Sequence, residues 1–228
     1  MAGRRSIYAA LAVCAALALL GPGSAAAQNP PVPTLVLGGH LYPKPFGNAY
    51  VYGHAELPAT ADQSGVAGQT VALYSSVFPY TTWAQVATLT TDFGGYFTYH
   101  QTLTQNTTFR AIWQGAAPVQ SKDKLLKLPM KLTLKASHHR IKRGGVVTFT
   151  GVGAPAHAGA RVELQQQTKF GGFKTFASTL TSATSTFNLR TRLKRSGVFR
   201  ALFPGDDVFG VSASRPVRVT AVKKKHKR

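Results

Sequence analysis

Few side chains in this 228-residue sequence could exchange protons, attack a carbon or hold a metal ion. Seven acids, seven histidines and one cysteine are all it has for that chemistry. Catalysis needs such groups within hydrogen-bond reach of one another. Neither His-Glu-x-x-His nor Gly-x-Ser-x-Gly occurs. His138 and His139 are adjacent, so in an extended segment they point to opposite faces and make a poor zinc pair. Asp206 and Asp207 lack the spaced partners of a calcium loop and read as a turn. The expectation is a protein with no catalytic residue, no metal site and no cofactor.

Binding chemistry is concentrated in charge instead. The chain carries 27 Lys and Arg and a net charge of +20. Residues 28–127 hold five basic against four acidic side chains, whereas residues 128–228 hold 20 against Glu163, Asp206 and Asp207. Three clusters stand out in that second half. They are Arg140, Lys142 and Arg143 in "HHRIKR", Arg190, Arg192, Lys194 and Arg195 in "RTRLKR", and the tail residues Lys223, Lys224, Lys225, Lys227 and Arg228. Fixed positive charge of this density attracts polyanions, because each neutralised anionic site releases condensed counterions. The alternative is a surface that is basic only for solubility.

A second binding candidate lies in the near-neutral half. "YSSVFPYTTW" places Tyr74, Phe78, Tyr80 and Trp83 around Pro79. Rigid rings there could stack on a carbohydrate or anchor a protein partner, or they could plug the end of a folded domain.

These groups need a scaffold, and the N-terminus must be set aside first. Arg4 and Arg5, the apolar run Ile7–Leu20, and the small residues Ala25 and Ala27 are the parts of a secretory signal, placing cleavage after residue 27. The apolar run is shorter than the roughly 20 residues that span a bilayer. Cys14 follows Val13 inside that run, a poor lipoprotein site, and "SIYAAL" after the paired arginines fits twin-arginine export poorly. The expected location is secreted or associated with the cell envelope. Asn106-Thr107-Thr108 is a glycosylation sequon, which matters only in a host with that machinery, and the Ala-rich leader looks bacterial. Partners outside a cell would be anionic wall polymers, lipopolysaccharide, anionic lipid or extracellular nucleic acid. Sequence-specific nucleic-acid reading is not expected, since no groove-reading helix or ribbon motif is present.

The rest of the chain repeats itself. "TTFRAIW", ending at Trp113, returns as "GVFRALF", ending at Phe203, and further positions follow in the same order. Leu35 and Leu37 answer to Leu132 and Leu134, Val51 and Gly53 to Phe149 and Gly151, Ala67–Leu73 to Ala158–Leu164, and Phe97 and Leu103 to Phe187 and Leu193. A period of 90 to 98 residues makes each copy a domain rather than a solenoid unit. Inside each copy the apolar pattern has period two: Val162 and Leu164, Phe187 and Leu189, and Phe199, Ala201 and Phe203 alternate with polar residues. About seven short strands per copy, broken at turns such as Phe93–Gly95 and Gly205–Asp207, predict two antiparallel β-sandwiches.

Phe199–Thr220 resembles the end of bacterial immunoglobulin-like repeat domains: an aromatic-Arg-Ala strand, a Gly-Asp turn, an aromatic, Ser-x-Ser and a closing Val-x-Val. Ala-Gly-x-x-Val-x-Leu fits the same family. The resemblance implies tandem immunoglobulin-like domains over residues 28–128 and 129–222, with 223–228 a disordered basic tail, and it implies no chemistry. The first copy departs from it after Gly115, where no Asp follows and the last strand is rich in Lys and Leu, so its last two strands stay undefined. The few residues around Pro129 predict a stiff joint.

Overall fold

The computed structural model describes residues 33–42, 46–56, 66–115 and 117–223. The expected leader, the cleavage site and the tail beyond Lys223 lie outside them. The chain is all-β, with its strands in several largely antiparallel sheets.

In the first half β1 (Thr34–Leu41), β2 (Asn48–Glu56) and β5 (Tyr96–Thr102) form one sheet in the order β1-β2-β5. β3 (Thr70–Val77), β4 (Ala84–Thr90), β6 (Thr107–Trp113), β7 (Val119–Gln120) and β8 (Lys124–Leu126) form the other, where β7 and β8 both pair with β6. These two short strands are the ones the repeat left undefined. β2 shows why the chain folds this way: Ala49, Val51, Gly53 and Ala55 are buried, while Tyr50, Tyr52 and His54 between them face out.

The second half repeats the plan. β9 (Lys131–Leu132) and β10 (Lys135–Ala136) pair with β12 (Gly145–Ala154), which pairs with β15 (Thr186–Leu193). The facing sheet contains β11 (Arg140–Lys142), β18 (Val217–Val222), β16 (Gly197–Phe203), β13 (Arg161–Gln167) and β14 (Phe173–Leu180), with β17 (Ser212–Ala213) at its edge. Phe187, Leu189, Phe199, Ala201 and Phe203 are buried as their alternation requires. Two details depart from a purely alternating, antiparallel reading. β11 runs parallel to β18. A bulge between Leu164 and Gln165 resets the alternation in β13, so Gln165 is buried and accepts a hydrogen bond from Arg200 Nε.

The duplicated Phe-Arg-Ala has the same job in both halves. Phe109 and Phe199 are fully buried, and Arg110 and Arg200 lie on the outer face, each guanidinium 3.9 Å from a ring centre, Trp83 or Phe173. Ala111 and Ala201 donate their N–H to Ser121 and Ser214 Oγ at 3.0 and 2.9 Å. Ring, cation and small residue thus serve core, surface and edge in one three-residue phrase.

Two glycines answer to a single steric demand. Gly53 faces Phe97 across β2 and β5, Gly151 faces Phe187 across β12 and β15, and each phenylalanine ring lies over its glycine. A Cβ at 151 would stand 2.2 Å from both the Phe187 ring and the Thr133 carbonyl oxygen, which is backbone and cannot swing away. Gly151→Ala is expected to cost about 2 kcal/mol, read as a lower urea midpoint. Gly172→Ala, which meets nothing closer than 3.6 Å, should stay near wild type.

The joint between the halves is built from both sides. Asn106 is 1% exposed and donates from Nδ2 to the carbonyls of Asp206 and Asp207, 3.1 Å each, while its Oδ1 accepts the Leu128 N–H at 2.9 Å. Its own N–H donates to the Val208 carbonyl, Gly210 N–H donates to that of Leu128, and Pro129 bridges to Gly210. Leu128 and Met130 are buried in an apolar cluster that runs through both halves.

Candidate polyanion interface

Strand direction gathers the basic clusters. β12 through β16 run alternately up and down, so every second turn falls at the same end. One end has the β11–β12 turn with Arg143, the β13–β14 turn with Lys169, the β15–β16 turn with Lys194 and Arg195, and the exit of β18 at Lys223. Backbone N–H groups tie three of these segments together, those at Arg143, at Lys194 and Arg195, and at Lys223. Arg143 N–H donates to the Val222 carbonyl, Gly144 N–H to that of Leu193, and Ala221 N–H to Ser196 Oγ, at 2.9, 2.9 and 3.0 Å.

Arg140, Lys142, Arg143, Arg190, Arg192, Lys194, Arg195 and Lys223 are all exposed, and strand direction brings these residues, far apart in sequence, to one end of the second half. Arg190 and Arg192 extend the patch onto the outer face of β15, opposite Thr148 and Val146 of β12. A shallow cleft lies between Gln166, Phe176 and Arg192–Arg195. Lys224, Lys225, Lys227 and Arg228 fall outside the described residues.

Three further cations belong to this end: Lys169, Lys174 at the start of β14, and Arg218, whose strand partner is Val198. Isolated in the sequence, they form no run. The parity of antiparallel turns would have placed them.

The acids lie elsewhere. Glu163 is paired with Leu202 toward the other end of β16, and Asp206 and Asp207 sit in the turn at the joint. The turns of that end, 155–160, 181–185 and 204–211, contain no Lys or Arg. Strand β16 separates the two ends by about 20 Å at roughly 3.3 Å per residue. Asp206 is engaged there, 2.5 Å from His157 Nε2 and accepting the Val208 and Phe209 N–H groups at 2.8 Å. Burial alone would raise its pKa, but the hydrogen bonds from His157, Phe209 and Val208 outweigh this and hold the carboxyl below its ordinary range.

The loop aromatics are dispersed by comparison. Trp83 is half-buried beneath Arg110, which forms a two-pronged ion pair with Asp123 at 2.8 Å. Tyr74 is half-buried within β3 opposite Arg110. Tyr80, in the left-handed backbone region at φ 62°, reaches across the joint to donate its hydroxyl to the Asp207 carbonyl at 2.7 Å. Phe78 is 46% exposed and meets Tyr80 edge-on at 6.1 Å. Of these rings Tyr80 helps to hold the two halves together, and Tyr74 and Trp83 flank Arg110.

His138 and His139 do not converge: His138 Nδ1 is near Ser137 Oγ, while His139 Nδ1 is near the Arg218 carbonyl, both at 3.1 Å. Among the described residues no group of three or more His, Cys, Asp or Glu side chains could hold a metal ion.

No protein-family model matches the chain. No curated protein matches it either. Among solved structures it is similar to a "tetra-tandem repeat in extending region of large adhesion protein", at 13% identity and a TM-score of 0.37 over 82% of this chain and 49% of that one. The chain therefore spans about half the length of that neighbour.

Proposed function

We propose that this is an exported, non-catalytic protein of immunoglobulin-like repeats, held electrostatically to an anionic cell-envelope polymer or anionic lipid surface by the basic end of its second half. The observation that carries the reading is the segregation of charge. Turns at one end collect exposed Lys and Arg from three clusters, whereas the acids of that half stand toward the joint. A surface made basic only for solubility would have no reason to sort its charges by strand direction. The near-neutral first half is then displayed away from the attachment surface.

Retention of the purified protein on phosphatidylglycerol vesicles and on immobilised polyglycerol phosphate, across a salt series, tests this. With about six cations engaged, affinity should fall roughly a thousandfold between about 50 and 200 mM salt. Retention that does not change with salt would overturn it.

A further inference from the structure

The outer face of the β1-β2-β5 sheet bears a block of rings that the attachment surface does not use. Strand register sets it in three rows: His40, Tyr50 and His100; Gly38, Tyr52 and Thr98; Val36, His54 and Tyr96. Tyr42 closes one end, its ring 6.1 Å from Tyr50. Around Tyr50 the contacts are continuous, with ring centres 5.3 Å apart for His40 and Tyr50, 4.9 Å for Tyr50 and His100, and 5.6 Å for Tyr50 and Tyr52, and the third row adds a separate pair. His54 and Tyr96 stack at 4.1 Å, and Glu56 hydrogen-bonds His54 at the rim.

The Tyr52 ring lies flat and open, and its neighbours are tilted against it. A Cβ on Gly38 would stand 2.5 Å from the Tyr52 ring, so that ring rests on the backbone of β1 while the residue stays 43% exposed. Tyr96 is 54% exposed.

The second half shows that the fold does not demand this. Aligned on the Gly53–Phe97 and Gly151–Phe187 pairs, the same face carries Thr148, Thr150 and Val152 on β12 and Arg190, Asn188 and Thr186 on β15. That sheet closes without one ring there. A contiguous exposed aromatic face in one copy alone marks a contact surface.

We propose that this face binds a neutral, extended β-linked polysaccharide. Ring faces suit the C–H faces of pyranoses, and phenol hydroxyls and imidazole nitrogens suit sugar hydroxyls. Tyr42, Tyr50 and Tyr52 follow one another at 6.1 and 5.6 Å, close to the length of one pyranose unit. The three rows contain no Lys, Arg, Asp or Glu, and Glu56 at the rim is engaged by His54 in a chain of net charge +20, which matches an uncharged ligand and leaves anionic ones to the basic end. A second copy of the chain is a poorer occupant. Three strands about 4.8 Å apart and roughly 20 Å of strand offer about 300 Å², against roughly 800 Å² per partner in a stable complex.

Calorimetric titration with cellohexaose, xylohexaose and mannohexaose, and with the curled α-linked maltohexaose, tests the proposal at about 0.5 M salt, where attraction from the basic end is screened within a few ångströms. The expected result is saturable binding of at least one β-linked hexasaccharide and not of maltohexaose. It should weaken about tenfold in Tyr50→Thr and Tyr52→Thr, and be unchanged in Lys194→Gln. These variants borrow residues that the second sheet already carries, and Tyr96→Thr, at the exposed rim, supplies the same test if Tyr52 proves needed for folding. No heat with any β-linked sugar, or binding that folded variants retain, would overturn it. So would a dimer in sedimentation that Tyr52→Thr dissolves, which would assign the face to a second copy.

Discussion

Asn106→Ala is expected to remove about 3 kcal/mol of stability and to uncouple the two halves. The side chain is buried and fully used: Oδ1 takes the Leu128 N–H, and Nδ2 serves the carbonyls of Asp206 and Asp207. Alanine strands the Leu128 N–H and the Asp206 carbonyl, while the Asp207 carbonyl keeps the Tyr80 hydroxyl, and each buried polar group left unpaired costs roughly 1–3 kcal/mol. Asn106→Asp should be no better, since it keeps the acceptor but turns carboxylate oxygen toward two carbonyl oxygens. The measurement uses an accident of composition. Trp83 and Trp113 are the only tryptophans and both belong to the first half, whereas strands in both halves contribute to far-UV circular dichroism. In the wild type, urea transitions by the two probes should coincide. In Asn106→Ala the fluorescence and dichroism midpoints should separate, and coincident transitions at an unchanged midpoint would refute the coupling role.

That joint also shows where sequence reasoning stops. Strand positions were legible because alternation is local: Phe187, Leu189, Phe199, Ala201 and Phe203 could be assigned inward from their immediate neighbours, and all five are buried. The paired repeats Gly53 with Gly151 and Phe97 with Phe187 were visible as matches, yet only strand register shows that each glycine exists for its phenylalanine. Asn106 read as a sequon because its partners lie 22 to 101 residues away.

The two proposed surfaces divide along the same line. The basic clusters were legible as runs, but their meeting at one end depends on strand direction, and Lys169, Lys174 and Arg218 form no run. The aromatic face was not legible at all. Its rings come from β1, β2 and β5, so a scan along the chain meets two or three at a time among buried residues. "YSSVFPYTTW" drew attention because its rings are close in sequence, yet folding turns Tyr80 to the joint and sets Trp83 under Arg110.

Neutralising the basic end should have the largest effect on binding. Each Lys or Arg near an anionic surface contributes about 1 kcal/mol, so Arg190→Gln, Arg192→Gln, Lys194→Gln and Arg195→Gln together should weaken retention on phosphatidylglycerol vesicles roughly a thousandfold and flatten its salt dependence. All four side chains are exposed, so the combined variant should melt close to wild type. The informative control removes as much charge elsewhere: Lys127→Gln, Lys131→Gln and Arg161→Gln toward the joint and Lys122→Gln beyond it in the first half. If net charge alone governs attachment, the two combined variants should lose affinity equally. If the end formed by the turns at Arg143, Lys169 and Lys194 is the contact, the control should keep most of its affinity and its salt slope. Only the second result fits a protein that sorts its charges by strand direction, because attraction to a surface decays within about 8–10 Å at ordinary ionic strength and the joint lies roughly twice that distance away.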